Sequence, residues 1–222
     1  MLPVPSSIAP EEYYAYYGHT GATAYFGLEL ATPRPNDVLV VSSAAGGVGA
    51  LVGQMGKCVG CSHVIGIAGS DERCRWIVEE LGFDAAINYT REHVAERLQE
   101  LCPAGIDIYF DNVGGGLLDT VLTMLARNAR IALCGELATY NTPASSAITN
   151  TFQLTLQRAS MHGFLVTDYL SRYAEAFDQI TVWRTQGRMR TGLTILDGIE
   201  QLAPALERLF AGAYLGKVVI RV

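Results

Sequence analysis

Short β-branched apolar runs alternate with stretches of helical spacing along most of this chain, and that alternation restricts the fold more than any other feature. The runs lie at residues 37–42, 63–68, 85–89, 106–111, 129–135 and 161–166, each with the length and composition of a buried strand. Between them, residues 49–61, 71–81, 92–102 and 117–126 carry helical patterning. Parallel neighbours need a crossover where antiparallel ones need only a turn, so this succession implies a doubly wound parallel α/β sheet with helices on its faces. A chain that is 50% hydrophobic, 17% charged and holds 23 glycines is neither disordered nor a small staple-dependent scaffold.

The two ends depart from this regularity. Residues 1–33 contain no Lys or Arg, are punctuated by prolines at the start, and carry Tyr13, Tyr14, Tyr16 and Tyr17 before a glycine-rich stretch. They read as a linker feeding a packed helix over 20–30. At the other end, 198–210 is helical in pattern, and 216–222 is a terminal strand with Lys217 and Arg221 that requires a sheet partner.

The net charge of -6 is spread without acidic or basic blocks, which argues against nucleic acid or an anionic membrane surface as partner. Apolar runs such as Val38, Leu39, Val40 and Val41 are too short to span a bilayer, and the amino terminus lacks the basic start and apolar stretch of a secretory signal. The chain reads as soluble and cytoplasmic. Its 5 cysteines are an odd, scattered set that suits a reducing compartment. Cys58 and Cys61 have metal or redox spacing but lack a second Cys or His pair, and packing is the simpler reading. His19, His63, His93 and His162 share no ligand spacing, so no metal site is expected.

The strongest local signal is the first strand followed at once by Ala44-Ala45-Gly46-Gly47-Val48-Gly49 and an apolar helix. Ala44, Gly46 and Gly49 occupy the three glycine positions of G-x-G-x-x-G: a tight turn, a place where backbone approaches a diphosphate, and close helix–strand packing. The amino terminus of the helix that follows offers unpaired amides to phosphate, and Gly47 and Val48 of the turn are counted among the cofactor-binding residues. A glycine-rich turn between any strand and helix is the bland alternative, and placement on the first strand of an alternating pattern favours dinucleotide binding. The second strand ends in Gly69-Ser70 with no carboxylate at its tip. Ser70 suits a helix cap, and Arg73 lies one turn on, where a guanidinium pairs with a 2′-phosphate, which favours NADP(H) over NAD. Asp71 weakens that preference if it swings toward the ribose, and as a surface charge Arg73 has no role.

Tyr89 follows the third strand, and Asp111-Asn112-Val113-Gly114-Gly115 follows the fourth, where carboxyl ends of strands line the ligand crevice. Asn112 reads as a hydrogen-bonding partner for ribose or amide, or else as a simple turn residue. Cys134, Gly135 and Glu136 end the fifth strand, and 137–150, with Tyr140 and Asn141, reads as a loop over the same crevice. There is no Tyr-x-x-x-Lys relay, no Gly-x-Ser-x-Gly elbow and no phosphate-binding Lys-Ser/Thr loop.

In order along the chain, Thr23-Ala24-Tyr25-Phe26-Gly27, the glycine turn, Gly66 to Arg73, Leu81 to Tyr89, Tyr109 to Gly115 and Gly163-Phe164-Leu165-Val166 resemble the zinc-independent medium-chain dehydrogenase/reductases. The likeness is to the prostaglandin reductase, leukotriene dehydrogenase and NADPH-dependent alkenal and curcumin reductase group. The resemblance implies a Rossmann-type domain over 17–188, with 1–16 a linker or remnant and 189–222 a carboxy-terminal remnant of a GroES-like catalytic domain. It implies that Arg73 and Tyr89 contact the adenosine phosphate, and that Asn112, Val113 and the backbone of Phe164, Leu165 and Val166 position ribose and nicotinamide, with Cys134, Gly135 and Thr23 close by. Tyr140 matches a tyrosine beside the substrate. Hydride transfer to the β-carbon of an enone or enal creates an enolate that needs a hydrogen-bond donor, and Tyr140 or a cofactor hydroxyl is the candidate.

Two departures stand out. Tyr214 replaces an asparagine that in the family contacts the cofactor, so that contact is not carried over. The family's amino-terminal β domain, roughly a third of its chains, has no counterpart in the sequence. Residues 189–222 are therefore expected to be disordered, rearranged or paired with another chain, and the tyrosine-rich opening to expose apolar surface that favours a homodimer or other self-association. The alternatives are a non-catalytic NADPH-binding module, a quinone reductase of the same superfamily, and a methyltransferase, against which the missing acid at Gly69-Ser70 argues.

Overall fold

A computed structural model describes residues 8–140 and 147–222. The six expected strands form one sheet: β1 (Val38–Ser42), β2 (His63–Ala68), β3 (Ala85–Asn88), β4 (Ile106–Asp111), β5 (Leu125–Leu133) and β6 (Ser160–Gly163), in the order β3-β2-β1-β4-β5-β6. Every pairing is parallel. The chain reverses its direction of travel across the sheet between β1 and β4, which creates a switch-point crevice beyond their carboxyl ends. The sheet is buried on both faces, and Leu39, Val40, Val41, Ile65, Ile108 and Phe110 are inaccessible to solvent, which is why β1 reads as a continuous apolar run.

The crossover helices are α3 (Gly47–Val59), α4 (Asp71–Glu79), α5 (Val94–Leu101) and α6 (Gly115–Leu122). The first of them packs unusually close to the sheet. A methyl on Gly49 would lie 2.5 Å from the Ser43 carbonyl oxygen, one on Gly53 1.9 Å from the Phe83 ring, and one on Gly56 2.4 Å from Leu39. Spacings of four and three residues put these glycines on one helix face, and that face carries the backbone down onto β1 and β2. Ser70 caps α4, its hydroxyl accepting from the Arg73 amide, as the sequence suggested.

Two expectations about the ends are corrected. Residues 10–16 are not a linker: they form α1 (Pro10–Tyr16), and Tyr13, Tyr16 and Tyr17 are buried against α2 (Gly18–Leu30) and α8 (Tyr173–Thr185). Tyr13 and Tyr17 stack at 5.6 Å, and Tyr17 packs edge-on to Phe177 at 5.4 Å. Only Tyr14 of the four remains exposed, so the apolar opening is spent on the chain's own core. The carboxy-terminal segment is regular too: β7 (Leu193–Asp197) pairs in parallel with β8 (Lys217–Arg221), joined by α9 (Leu202–Phe210). Neither β7 nor α8 was anticipated, because α8 has almost no amphipathic pattern and all five residues of β7 are only partly covered or exposed. This unit is tied to the rest through α1 and through Gly216, which pairs with Gly46. None of the described helices is long and apolar enough to cross a membrane.

Burial pushes the phenols of Tyr13, Tyr16, Tyr25, Tyr109 and Tyr173 above the ordinary tyrosine range. A pKa higher in the folded than in the unfolded chain gives stability that is complete below the unfolded value, about pH 10, and is lost as pH rises through the folded one. The urea midpoint is therefore expected to decline gently above about pH 8.5, where unfolded-state thiols ionise while Cys61, Cys74 and Cys102 are held up to about 11 and Cys134 to about 12, and to fall steeply above about pH 10.5 as the phenols join them. Tyrosinate absorbance of the buried rings should appear together with unfolding. Ionisation of all these phenols in a still-folded chain would contradict this.

Candidate functional site

The crevice is built on a buried hydrogen-bond hub. The Asp111 carboxylate, at the end of β4 and fully buried, accepts from the Ser42 hydroxyl at 3.0 Å, the Tyr109 hydroxyl at 2.9 Å and the amides of Val113 and Gly114 at 3.0 Å. Ser42 at the end of β1 accepts in turn from the Asn112 amide at 2.8 Å. The Asn112 side chain donates to the Ser42 carbonyl at 2.7 Å. Four donors converging on one carboxylate hold the turn 111–114 against the tip of β1 with little freedom to shift. Tyr109 and Ser42 escaped the sequence reading because each reads only as one more residue of a buried strand; no local pattern shows that they meet.

The glycine turn lies beside this hub. Ser43 adopts a left-handed backbone at φ 50, and Ala44 is inaccessible, its amide donating to Ile67 at 3.0 Å. Gly46 caps α3 from an extended conformation, and Gly49 closes onto Ser43 as the motif requires. The amides of Gly47 and Val48 fall in the first turn of α3, where no carbonyl four residues earlier accepts from them within the helix. Gly47 and Val48 line a hollow of about 180 Å³ shared with Thr20, Leu209, Gly216 and Lys217.

Above the next sheet position, Tyr89 stands over Gly69: a methyl there would lie 3.0 Å from its hydroxyl, and the ring is 57% exposed. Arg73 does not point freely into solvent. Its guanidinium donates to the Tyr214 carbonyl at 3.1 Å and packs against Gly212. A guanidinium has five N–H donors, so this contact leaves the fork able to take a further anion. Asp71 is committed elsewhere. Its carboxylate accepts from the Asn88 amide at 2.6 Å and pairs with Arg91, and these partners hold it below the usual carboxylate range. Arg91, which the sequence reading passed over, is thus neutralised by Asp71 and keeps that carboxylate from turning toward the crevice. The Tyr214 hydroxyl is buried with no hydrogen-bond partner among the described residues.

On the far side of the hub, the Cys134 and Gly135 amides both donate to the Asp111 carbonyl. Tyr140 reaches back over them: a methyl on Gly135 would lie 3.3 Å from its hydroxyl and 3.4 Å from the Asn112 carbonyl oxygen. The ring itself is exposed. Desolvation pushes the Cys134 thiol up to about 12, so it stays protonated and is not a nucleophile. Phe164 is turned inward onto Phe110 and Gly27, Leu165 is exposed, and Val166 opens a 3-10 turn. Thr23, one helical turn before Gly27, shares that face of α2. Asn141 lies outside the described residues.

The structure therefore gathers Ala44, Gly46, Gly47, Val48, Gly49, Asn112, Val113, Cys134, Gly135 and Tyr140 around the ends of β1, β4 and β5. Ser70, Arg73 and Tyr89 stand at the β2 end. Cys58 and Cys61 are unbonded, and no group of three or more His, Cys, Asp and Glu able to hold a metal occurs among the described residues.

Sheet order, switch point and glycine turn define a Rossmann-type α/β domain. A family profile described as zinc-binding dehydrogenase matches residues 47–181. The chain belongs to the medium-chain dehydrogenase/reductase superfamily, in its zinc-independent branch. It is 39% identical over 216 residues to a 2-alkenal reductase (NADP(+)-dependent) of Nicotiana tabacum, covering 96% of this chain and 63% of that protein. It is 39% identical over 212 residues to an NADPH-dependent curcumin reductase of Escherichia coli, covering 92% and 61%. Among solved structures, CurA from Vibrio vulnificus in complex with NADPH superposes with a TM-score of 0.91 at 38% identity, covering 99% of this chain and 66% of that one. The chain thus spans somewhat less than two thirds of the length of these relatives.

Proposed function

We propose that this chain is the cofactor-binding part of an NADPH-dependent reductase that saturates the C=C bond of α,β-unsaturated ketones or aldehydes. The observation that carries the reading is the glycine turn at the switch point, standing beside the Asp111 hub and Tyr140, in a chain 39% identical to an alkenal reductase. The residues fit the group. Gly47 presents bare backbone to a hollow bordered by a lysine with no carboxylate partner among the described residues, and Arg73 gives the β2 end a cation able to meet a 2′-phosphate.

NADPH, when bound, supplies the hydride. The amides of Gly47 and Val48 would hold the diphosphate. Arg73 and Tyr89 would hold the adenosine phosphate, with Ser70 capping the helix that carries Arg73. Asn112 and Val113, locked by Asp111 and Ser42, and the backbone from Phe164 to Val166, would orient the ribose and nicotinamide against Thr23, Cys134 and Gly135. The Tyr140 hydroxyl would donate a hydrogen bond to the carbonyl oxygen of an enone or enal, stabilising the negative charge that develops there.

Fluorescence titration with NADPH and NADH, followed by addition of trans-2-hexenal or a simple quinone, tests this. NADPH should bind at least about tenfold tighter than NADH, since a charge-assisted hydrogen bond contributes about 1.5–3 kcal/mol. Oxidation of NADPH on adding the enal supports the reductase. Because the chain spans less than two thirds of its relatives, a second reading is a binding module without turnover. Selective binding with no oxidation by either acceptor would establish that reading, oxidation by quinone alone would establish a quinone reductase, and absence of binding would sink all three.

A further inference from the structure

We infer that Lys217 is a ligand of the cofactor diphosphate, a cation delivered to the glycine turn by the last strand of the chain. The inference rests on the nucleotide reading above and adds a residue that neither motif nor resemblance supplied.

The backbone placing Lys217 is clamped to the turn itself. Gly216, at φ 70, donates its amide to the Ala45 carbonyl at 2.8 Å and pairs with Gly46, and the Lys217 amide donates to Gly192 at 2.9 Å. A methyl on Gly216 would lie 2.2 Å from the Gly192 carbonyl oxygen, so only glycine brings β8 this close. From there the lysine stem runs past Gly47, where a methyl would sit 3.6 Å from its Cδ, and Nζ donates to the Thr20 hydroxyl at 3.2 Å.

Its charge is uncompensated. Lys57, the other lysine of the chain, pairs with Asp84 at 2.9 Å, whereas no carboxylate lies within ion-pair distance of Lys217 among the described residues. The ammonium is half-buried, so the fold sets a cation in a partly dry place with a single neutral hydroxyl as partner. Such an arrangement is unfavourable until an anion arrives. The hollow of about 180 Å³ that this lysine borders with Thr20, Gly47, Val48 and Gly216 is open to receive one. A diphosphate held by the amides of Gly47 and Val48 would bring its negative charge to that place, while Thr20 keeps the ammonium aimed. A lysine that merely ties α2 to β8 would show no preference for a ligand carrying a diphosphate.

The test compares NADPH with adenosine 2′-monophosphate, which carries the adenosine and 2′-phosphate and lacks the diphosphate, on the full chain and on Lys217→Met and Lys217→Arg. Lys217→Met should weaken NADPH at least about tenfold, the loss of one charge-assisted hydrogen bond. It should leave adenosine 2′-monophosphate within about twofold and flatten the salt dependence of NADPH binding. Lys217→Arg should restore most of the affinity. Undiminished NADPH binding by Lys217→Met overturns the assignment, as does an equal loss for both ligands, which would make the lysine structural. A parent chain that binds neither ligand overturns the nucleotide reading of the whole site, an outcome separate from failure of Lys217 alone.

Discussion

Replacing Asp111 with alanine is expected to remove on the order of 4 kcal/mol of stability, a large share of what a domain of this size possesses. The carboxylate is fully buried and is the acceptor for Ser42, Tyr109, Val113 and Gly114 together. Alanine leaves all four donors without it in a place where water reaches them poorly, and each stranded group costs about 1–3 kcal/mol before relaxation. Tyr109→Phe removes one donor and spares the acceptor, so its cost should be near 1 kcal/mol. Urea unfolding of the two variants beside the parent gives the comparison. A loss below about 1 kcal/mol for Asp111→Ala would show that the hub relaxes freely and does not hold the crevice. The same variant should lose NADPH affinity even where it stays folded, because Asn112 and Val113 are held in place through Asp111 and Ser42.

Gly49→Val is expected to cost about 3 kcal/mol and to abolish measurable nucleotide binding. The groups it meets are backbone, the Ser43 carbonyl oxygen at 2.5 Å and the Ala44 Cα at 2.9 Å, and backbone cannot rotate away as a side chain can. Relief requires α3 to lift off β1, which also moves the amides of Gly47 and Val48 out of the crevice. Gly116→Ala supplies the contrast. It lies in α6 with nothing within 4 Å of the added methyl, so it should stabilise the chain by about 0.5–1 kcal/mol through helix propensity. Thermal unfolding with an NADPH titration distinguishes the pair. Parent-like binding by Gly49→Val would mean that the turn tolerates displacement and that glycine there serves folding alone.

The strands of the central sheet were legible because a buried parallel strand must be apolar on both faces, and the starts of β2 and β4 fall where the apolar runs begin. Helix ends were less so: α3 starts at Gly47, two residues before the expected point, since the capping geometry at Gly46 is set by backbone and not by side-chain type. The tyrosine cluster misled for a related reason. Tyrosine suits an exposed linker or a buried helix equally, and only the presence of Phe177 and Thr181 on α8 draws Tyr13 and Tyr17 inward.

What the sequence by itself determined is whatever short-range pattern encodes: the alternation of strand and helix, the glycine turn, the cap at Ser70, and the placing of Tyr89, Asn112 and Tyr140 just beyond strand ends. What only the tertiary structure decided is which distant groups meet. Arg73 finds the Tyr214 carbonyl 141 residues away, and Lys217 finds Thr20 197 residues away. The difference is physical. Periodicity and turn chemistry act over a few residues and leave a mark at each, whereas a contact between remote side chains depends on the packing of every element between them and leaves no local trace.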